Sequence, residues 1–308
     1  MVYFGWDCRM GGFVKKFLIV ISIIVFIIFL LSFVGKCFYA NNTKETYVEQ
    51  TNNDKSTIIE SNESNNVDGH NEEDIEEKNN DYITLDINEV RIPILMYHSI
   101  SDSDPNNNLL VPVEQFEAEV KWLKENGFTT MLLEDVVEAY STGNVPKKPV
   151  AITFDDGYAD NYTDAYRILK ENKMKATFFI ITNNTDTDSY YMNSDMLKEM
   201  KDNGMGIENH TSRHIEFTNI SRDEKAMIIQ EGIDALKEKV GVESKFVCYP
   251  VGRYDEETIE VEKELGIKAA VTTEPGISSV SDGIYSLKRV RMIPMGIDSF
   301  KEIFKEFL

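Results

Sequence analysis

Cysteine is nearly missing from this 308-residue chain, which has three: Cys8, Cys37 and Cys248. Two flank an apolar run near the N-terminus and the third stands alone, so no disulfide framework can staple the remainder. A domain of more than two hundred residues holds core enough without one, and cysteine usage leaves the redox compartment open. Histidine is sparse as well, with His70, His98, His210 and His214 the full set. Positive charge is short: 32 Lys and Arg face 53 Asp and Glu, for a net charge of -21. The folded remainder therefore has no basic stripe for nucleic acid phosphates, and its acidity also excludes an anionic membrane surface as its partner. A neutral or cationic polymer is easier to accommodate.

Charge and hydropathy divide the chain into three parts. The first 40 residues carry five charges, Asp7, Arg9, Lys15, Lys16 and Lys36. Within them Phe17 to Val34 is an uncharged apolar run of eighteen, broken by Ser22 and Ser32. At 1.5 Å per residue such a helix spans about 27 Å, close to the hydrocarbon thickness of a bilayer. Basic residues precede the run, so the positive-inside rule predicts a cytoplasmic tail (1–16), a signal-anchor helix (17–36) and export of the chain from Cys37 onward. The alternative is a signal peptide cut after Ala40, against which stand the bulky Phe38 and the length of the run. Cys37 is no lipidation signal, because Lys36 stands where a lipobox needs a small residue. Either way the expectation is an exported domain, held at the cell membrane or secreted.

Residues 41–81 contain ten Asn and twelve Asp or Glu with no apolar periodicity. That composition cannot bury enough surface to order itself, and the segment (37–81 with its flank) is expected to be a disordered acidic linker. The catalytic-domain candidate is 82–308.

Within 82–308 short apolar runs alternate with helical patterns. Strands are expected at Ile92–Tyr97, Val150–Phe154, Ala176–Ile181, Met205–Asn209, Phe246–Tyr249, Lys268–Val271 and Leu287–Val290. Between them the spacing predicts helices over Val113–Asn126, around Ala165–Leu169, at Ser194–Asn203, from the Ser221/Glu224 capping box to Val240, at Asp255–Leu265, and from Asp298. Seven or eight such alternations predict a parallel α/β architecture, an irregular (β/α)7–8 barrel.

The unusual polar residues fall just after the strands. His98 follows the first, Asp155 and Asp156 the second, and His210 the Met205 strand. Tyr249 and Pro250 follow the Phe246 strand, and Thr272 and Thr273 the Lys268 strand. All strand C-termini of a parallel barrel open on one face, so these residues are expected to converge. Asp-Asp-Gly alone is equally well a turn. His210 and His214, four apart, would share one side of a helical turn within reach of one metal ion. Two imidazoles and a carboxylate leave positions open for water and substrate, as a catalytic site requires.

Two segments carry a resemblance. TFDDG at Thr153–Gly157 and HTSRH at His210–His214 are similar to the first two motifs of the polysaccharide deacetylases, the NodB-homology fold also called carbohydrate esterase family 4. The resemblance covers residues 91–308. It implies that Asp156, His210 and His214 bind a divalent metal, usually zinc, with cobalt, nickel or iron also suited to the ligands. It also implies that Asp155 is the general base. Two family features are missing: the third motif lacks its arginine, where Cys248, Tyr249, Pro250 and Val251 stand, and no histidine follows His214.

Both departures resemble the branch acting on poly-β-1,6-N-acetylglucosamine, which carries FxYPxG, approached here by FVCYPVG at Phe246–Gly252 with one residue more, and takes its acid histidine from the first strand. ILMYHSI at Ile94–Ile100 is similar to that strand, which makes His98 the implied general acid. Arg289 or Arg291 would orient Asp155, and a backbone N–H near Tyr249 would help hold the oxyanion. Tyr249, Pro250 and Thr273 are the expected substrate contacts. The activity implied is N-deacetylation of a cell-surface glycan, either exopolysaccharide or peptidoglycan. Its competitors are an O-acetyl esterase of the same family and a non-catalytic glycan-binding protein.

Overall fold

The computed structural model describes residues 81–308. The expected cytoplasmic tail, membrane helix and acidic linker lie outside the described residues, apart from the linker's last position. Among the described residues no helix is long and apolar enough to cross a membrane.

Eight parallel strands form the central sheet: β1 (Ile94–Tyr97), β2 (Thr129–Met131), β3 (Pro149–Phe154), β4 (Thr177–Ile180), β5 (Gly206–Asn209), β6 (Phe246–Cys248), β7 (Ala269–Pro275) and β8 (Leu287–Arg291). Seven of them close a ring in the order β1-β8-β7-β6-β5-β4-β3, with β3 returning to pair with β1. β2 is the irregularity. It pairs with the first half of β3, Thr129 opposite Pro149 through Met131 opposite Ala151. β4 takes the second half along the same edge, Thr153 opposite Thr177 and Phe154 opposite Phe178. The eighth strand therefore wedges into the bottom of the barrel and leaves the mouth to seven.

The helices are α1 (Val113–Glu125), α2 (Leu133–Thr142), α3 (Arg167–Asn172), α4 (Ser194–Asp202), α5 (Arg222–Val240), α6 (Glu256–Glu264) and α7 (Ile297–Ile303). α5 starts where its capping box requires: Glu224 N–H donates to Ser221 Oγ and Ser221 N–H to Glu224 Oε2. It stops at Gly241, whose φ of 73° ends the helix in the left-handed region. The expected Ile92–Tyr97 strand is split by Pro93 into Arg91–Ile92 and β1. Proline has no N–H to give to a ladder, although its carbonyl still accepts from Ala151. β2 and α2 have no counterpart in the sequence expectation. β2 is three residues long and two of them are half-buried threonines, too little to register as an apolar run.

Alternation along each strand sorts the core into two sides. Ile94, Ala151, Phe179, Phe246, Cys248, Ala269, Val271 and Leu287 share the cluster that fills the barrel. Their neighbours Leu95, Tyr97, Ile152, Phe154 and Phe178 point outward and pack beneath α1 and α4. In that outer layer Phe154 is stacked between Tyr97, 5.3 Å away, and Phe178, 4.8 Å away, with Phe116 of α1 edge-on.

Removing the central ring of this stack leaves a cavity that three rigid aromatic neighbours cannot collapse into. Phe154→Ala is expected to lower stability by about 3–5 kcal/mol in urea unfolding. A loss under ~1 kcal/mol would show that the layer is loosely packed.

Candidate active site

Strand register explains which residues meet at the mouth. Tyr97 of β1 is paired with Phe154 of β3, so the next residues, His98 and Asp155, stand abreast. His98 Nε2 lies 3.9 Å from Asp155 Oδ2. Asn209 of β5 is paired with Val247 of β6, so His210 comes level with Cys248. The Cys248 carbonyl accepts a 2.7 Å hydrogen bond from His210 Nδ1. That bond fixes the tautomer and turns the Nε2 lone pair into the mouth, the arrangement metal-binding histidines need.

His210 and His214 do not share the helical turn expected from their spacing. HTSRH is a turn after β5 in which Thr211 and His214 take left-handed φ values of 64° and 53°. Thr211 Oγ1 accepts from the His214 backbone N–H at 2.9 Å and closes the turn. The two rings end 4.7 Å apart, centre to centre. Asp156, itself left-handed at φ 73°, swings its carboxylate between them, with Oδ1 3.4 Å from His210 Nε2 and 3.5 Å from His214 Nε2. Asp tolerates this conformation, and Gly157 continues it at 79°. DDG is thus a turn that also presents a candidate metal ligand.

Asp155 faces the opposite way. It is 2 % exposed and both its oxygens are taken by Arg289, Oδ1 from Nη1 at 2.8 Å and Oδ2 from Nη2 at 2.7 Å. Burial by itself raises the carboxyl, but the guanidinium outweighs it and holds Asp155 well below the usual carboxylate range. Arg289 is fully buried and every one of its N–H groups has an acceptor: Thr272 O, Thr153 Oγ1, both Asp155 oxygens and Cys248 Sγ. Of the two arginines that the sequence offers, Arg289 contacts Asp155, while Arg291 lines the pocket.

The same donors offer a second ligand set, Asp155 with His210 and Cys248. Its chemistry is poorer. Asp155 would have to leave Arg289, and burial pushes the Cys248 thiol up, which keeps it protonated. Asp156, His210 and His214 bring one donor atom each within 4.8 Å of the others and fit a divalent cation with positions to spare.

A cavity of about 230 Å³ lies over these groups, lined by His98, Asp155, Asp156, His210, His214 and Thr273 among others. Leu109 and Val251, also in its wall, had no signature in the sequence. His98 is not a core residue, as it faces this cavity; burial lowers its imidazole below the ordinary value against the pull of Asp155 and Asp156.

Of the expected substrate contacts, Tyr249 and Thr273 line the cavity, and Pro250 does not. Position 249 falls on the outward side of β6, and the Tyr249 hydroxyl is tied to Glu262 Oε2 and the Tyr285 carbonyl behind the barrel. Pro250 is buried and absent from the cavity wall. Val251 lines the cavity beside Tyr249, half exposed and left-handed at φ 49°, a strained conformation for a β-branched side chain. Gly252 follows at φ 72°, and a Cβ there would collide with Thr273 Oγ1, so this bend needs glycine.

A closed parallel barrel whose mouth brings together two imidazoles, one free carboxylate and a second, arginine-held carboxylate has the arrangement of a metal-assisted hydrolase. Comparison with known proteins gives the family. Residues 142–270 match the family model described as polysaccharide deacetylase. The Bacillus subtilis protein YxkH, which carries the name of a polysaccharide deacetylase, is 39% identical over 205 residues, 66% of this chain and 72% of that protein. The poly-β-1,6-N-acetyl-D-glucosamine N-deacetylase of Staphylococcus aureus is 26% identical over 262 residues, 79% of this chain and 88% of that one. The solved Streptococcus pyogenes deacetylase PplD, in complex with acetate, superposes with a TM-score of 0.68 at 34% identity, over 70% of this chain and 99% of that one. The chain belongs to the polysaccharide deacetylase family.

Breaking the buried pair from one side strands a charge. Arg289→Met is expected to cost about 3–5 kcal/mol in stability, and adding Asp155→Asn should return at least half of it. Because the folded Asp155 carboxyl titrates below its unfolded value of 3.8, the wild-type contribution is complete above that pH and is lost as pH falls below it. Equal losses in the single and double variants, measured by denaturation at pH 7, would contradict this.

Proposed function

We propose that this domain removes acetyl groups from N-acetylglucosamine residues of an exported glycan, using one divalent cation, zinc by preference, held by Asp156, His210 and His214. The observation that carries the reading is the pairing of two adjacent carboxylates with opposite surroundings. Asp156 turns to the imidazoles and Asp155 is locked to Arg289 beside them.

A cation bound there would polarise the acetyl oxygen and acidify a water. Asp155, kept ionised by Arg289, is placed to take that water's proton. The same pairing makes it a weak base, so its strength suits a water already acidified and little else. His98, across the mouth from Asp155, is placed to give a proton to the departing amine, and its lowered pKa makes its protonated form the stronger acid. His210 cannot rotate away while its Nδ1–H is held by Cys248 O. The Tyr249 N–H is given to the Val271 carbonyl and Pro250 has none, which leaves the Val251 N–H as the backbone donor of this segment that could serve the oxyanion.

The polymer is read from two features. YPxG at Tyr249–Gly252 and the histidine carried by the first strand resemble the branch of the poly-β-1,6-N-acetylglucosamine deacetylases. The acidity of the folded part is compatible with a neutral glycan whose product amines are cationic. The run at 17–34 and its flanking lysines support a domain tethered outside the cell membrane. An intact ligand set weighs against a protein that only binds glycan.

Acetate release from β-1,6-linked N-acetylglucosamine oligomers and from chito-oligosaccharides tests the reading. The wild type should deacetylate at least one of them and lose activity on chelation. Asp155→Asn is expected to lower the rate by about 10² or more, since general base and electrostatic terms are each worth that much. Near-normal turnover by Asp155→Asn would remove Asp155 from the role of base.

A further inference from the structure

Three tyrosines stand beside the mouth without a part in the deacetylation chemistry. Tyr158 follows the DDG turn by one residue, and Tyr190 and Tyr191 sit on the loop between β4 and α4. Their rings form one cluster: Tyr158 and Tyr191 are stacked at 5.6 Å, and Tyr190 stands edge-on to each at 5.3 Å. The cluster is not buried. Tyr190 is 63% exposed, and the other two rings are partly exposed. Single exposed aromatics are ordinary on a protein surface, but three packed together and left open to solvent form an apolar face that ordinarily meets a ligand.

The face is preformed and joined to the site. Ala159 N–H donates to Tyr190 O at 2.9 Å and Met192 N–H to Gly157 O at 3.0 Å, with Tyr158 bridged to Tyr191 between them. The loop is thereby fastened to the turn that carries Asp156. Its other end is held by Asp186, whose carboxylate accepts from Ser194 N–H and pairs with Lys239 of α5.

We propose that Tyr158, Tyr190 and Tyr191 form a stacking platform for a pyranose ring of the polymer, one neighbouring the sugar that is deacetylated. A pyranose presents a face of C–H groups with no charge, which suits the faces of tyrosines, while its hydroxyls suit their polar tips. Attachment to the turn that carries Asp156 sets the occupant: a chain whose reacting sugar sits over Asp156 runs on past that turn, where the three rings are packed. Binding there is felt equally before and during the chemical step, so it acts on substrate affinity rather than on the rate of the bound complex.

The platform rests on the reading of the site as a glycan deacetylase, and the test separates the two. Full-length wild type, Tyr190→Ala and Tyr190→Phe are compared for acetate release from the disaccharide and the pentasaccharide of the N-acetylglucosamine series that the wild type accepts. The wild-type advantage in KM of pentasaccharide over disaccharide should shrink roughly 3- to 10-fold in Tyr190→Ala, the range of one lost aromatic contact, with kcat on the pentasaccharide held within about twofold. Tyr190→Phe should restore the advantage, because the ring and not the hydroxyl supplies the face. An undiminished KM advantage in Tyr190→Ala would overturn the platform. So would a fall in kcat alike on both lengths, which is the mark of a residue that only braces the loop. If the wild type releases no acetate from either length, the functional reading fails, and calorimetric titration with the pentasaccharide decides the platform by itself: binding lost in Tyr190→Ala supports it, and no binding by the wild type overturns it.

Discussion

The barrel keeps a charged pair in its interior, and the mouth is organised around it. Arg289 and Asp155 are both shut off from water, and leaving either charge unpaired there would cost about 3–5 kcal/mol, a large share of a domain's stability. They are tolerated because the guanidinium's five N–H groups find five acceptors contributed by β3, β6 and β7. Such pairs are weak sources of stability compared with well-packed apolar residues, so their value lies in geometry. Here the pair fixes one carboxylate of a DD dipeptide in place and thereby directs the other, on a left-handed residue, toward His210 and His214. Cys248 joins the two halves: its sulfur accepts from Arg289 and its carbonyl accepts from His210. The family's motif arginine is missing at that point in the chain, and Arg289 enters from β8 to meet Asp155.

Strain collects at the same end. Asp156, Thr211, His214 and Val251 are non-glycine residues in the left-handed region, and all four lie on the loops that follow β3, β5 and β6. Each such residue is held only where its surroundings over-determine it. The Thr211 side chain closes the histidine turn, the DDG turn is fastened to the Tyr190 loop, and Gly252 lets the chain pass close under Thr273. At the bottom of the barrel the left-handed Lys173 only ends α3 ahead of β4, and the wedge of β2 completes the packing.

Much of this is legible in the sequence. Apolar runs separated by helical spacing point to the parallel barrel, and the Ser221/Glu224 box marks the start of α5. Four histidines in a long chain make His98, His210 and His214 conspicuous, and their positions after strands put them at one mouth. The reading weakens where the signal depends on direction. Tyr249 stands out for its place after β6 and does line the cavity, but the parity of that strand sends its hydroxyl outward, and Val251 joins the wall beside it. Spacing by four suggests a helical turn for His210 and His214, whereas the chain reaches the same proximity through two left-handed residues. β2 and α2 escape because a three-residue wedge is held by its neighbours rather than by its own pattern. Arg289 and Arg291 are equivalent by motif; strand register, which puts Arg289 opposite Pro275 and Arg291 opposite Met96, distinguishes them.

The central claim is that one cation is held by Asp156, His210 and His214, with Asp155 left outside its coordination shell. Crystals grown with zinc, with diffraction collected on both sides of its absorption edge, test this directly. The account predicts a single anomalous peak about 2.0–2.2 Å from His210 Nε2, His214 Nε2 and an oxygen of Asp156, with both oxygens of Asp155 still on Arg289. A peak ligated by Asp155 and Cys248, or no peak at the mouth, would contradict it.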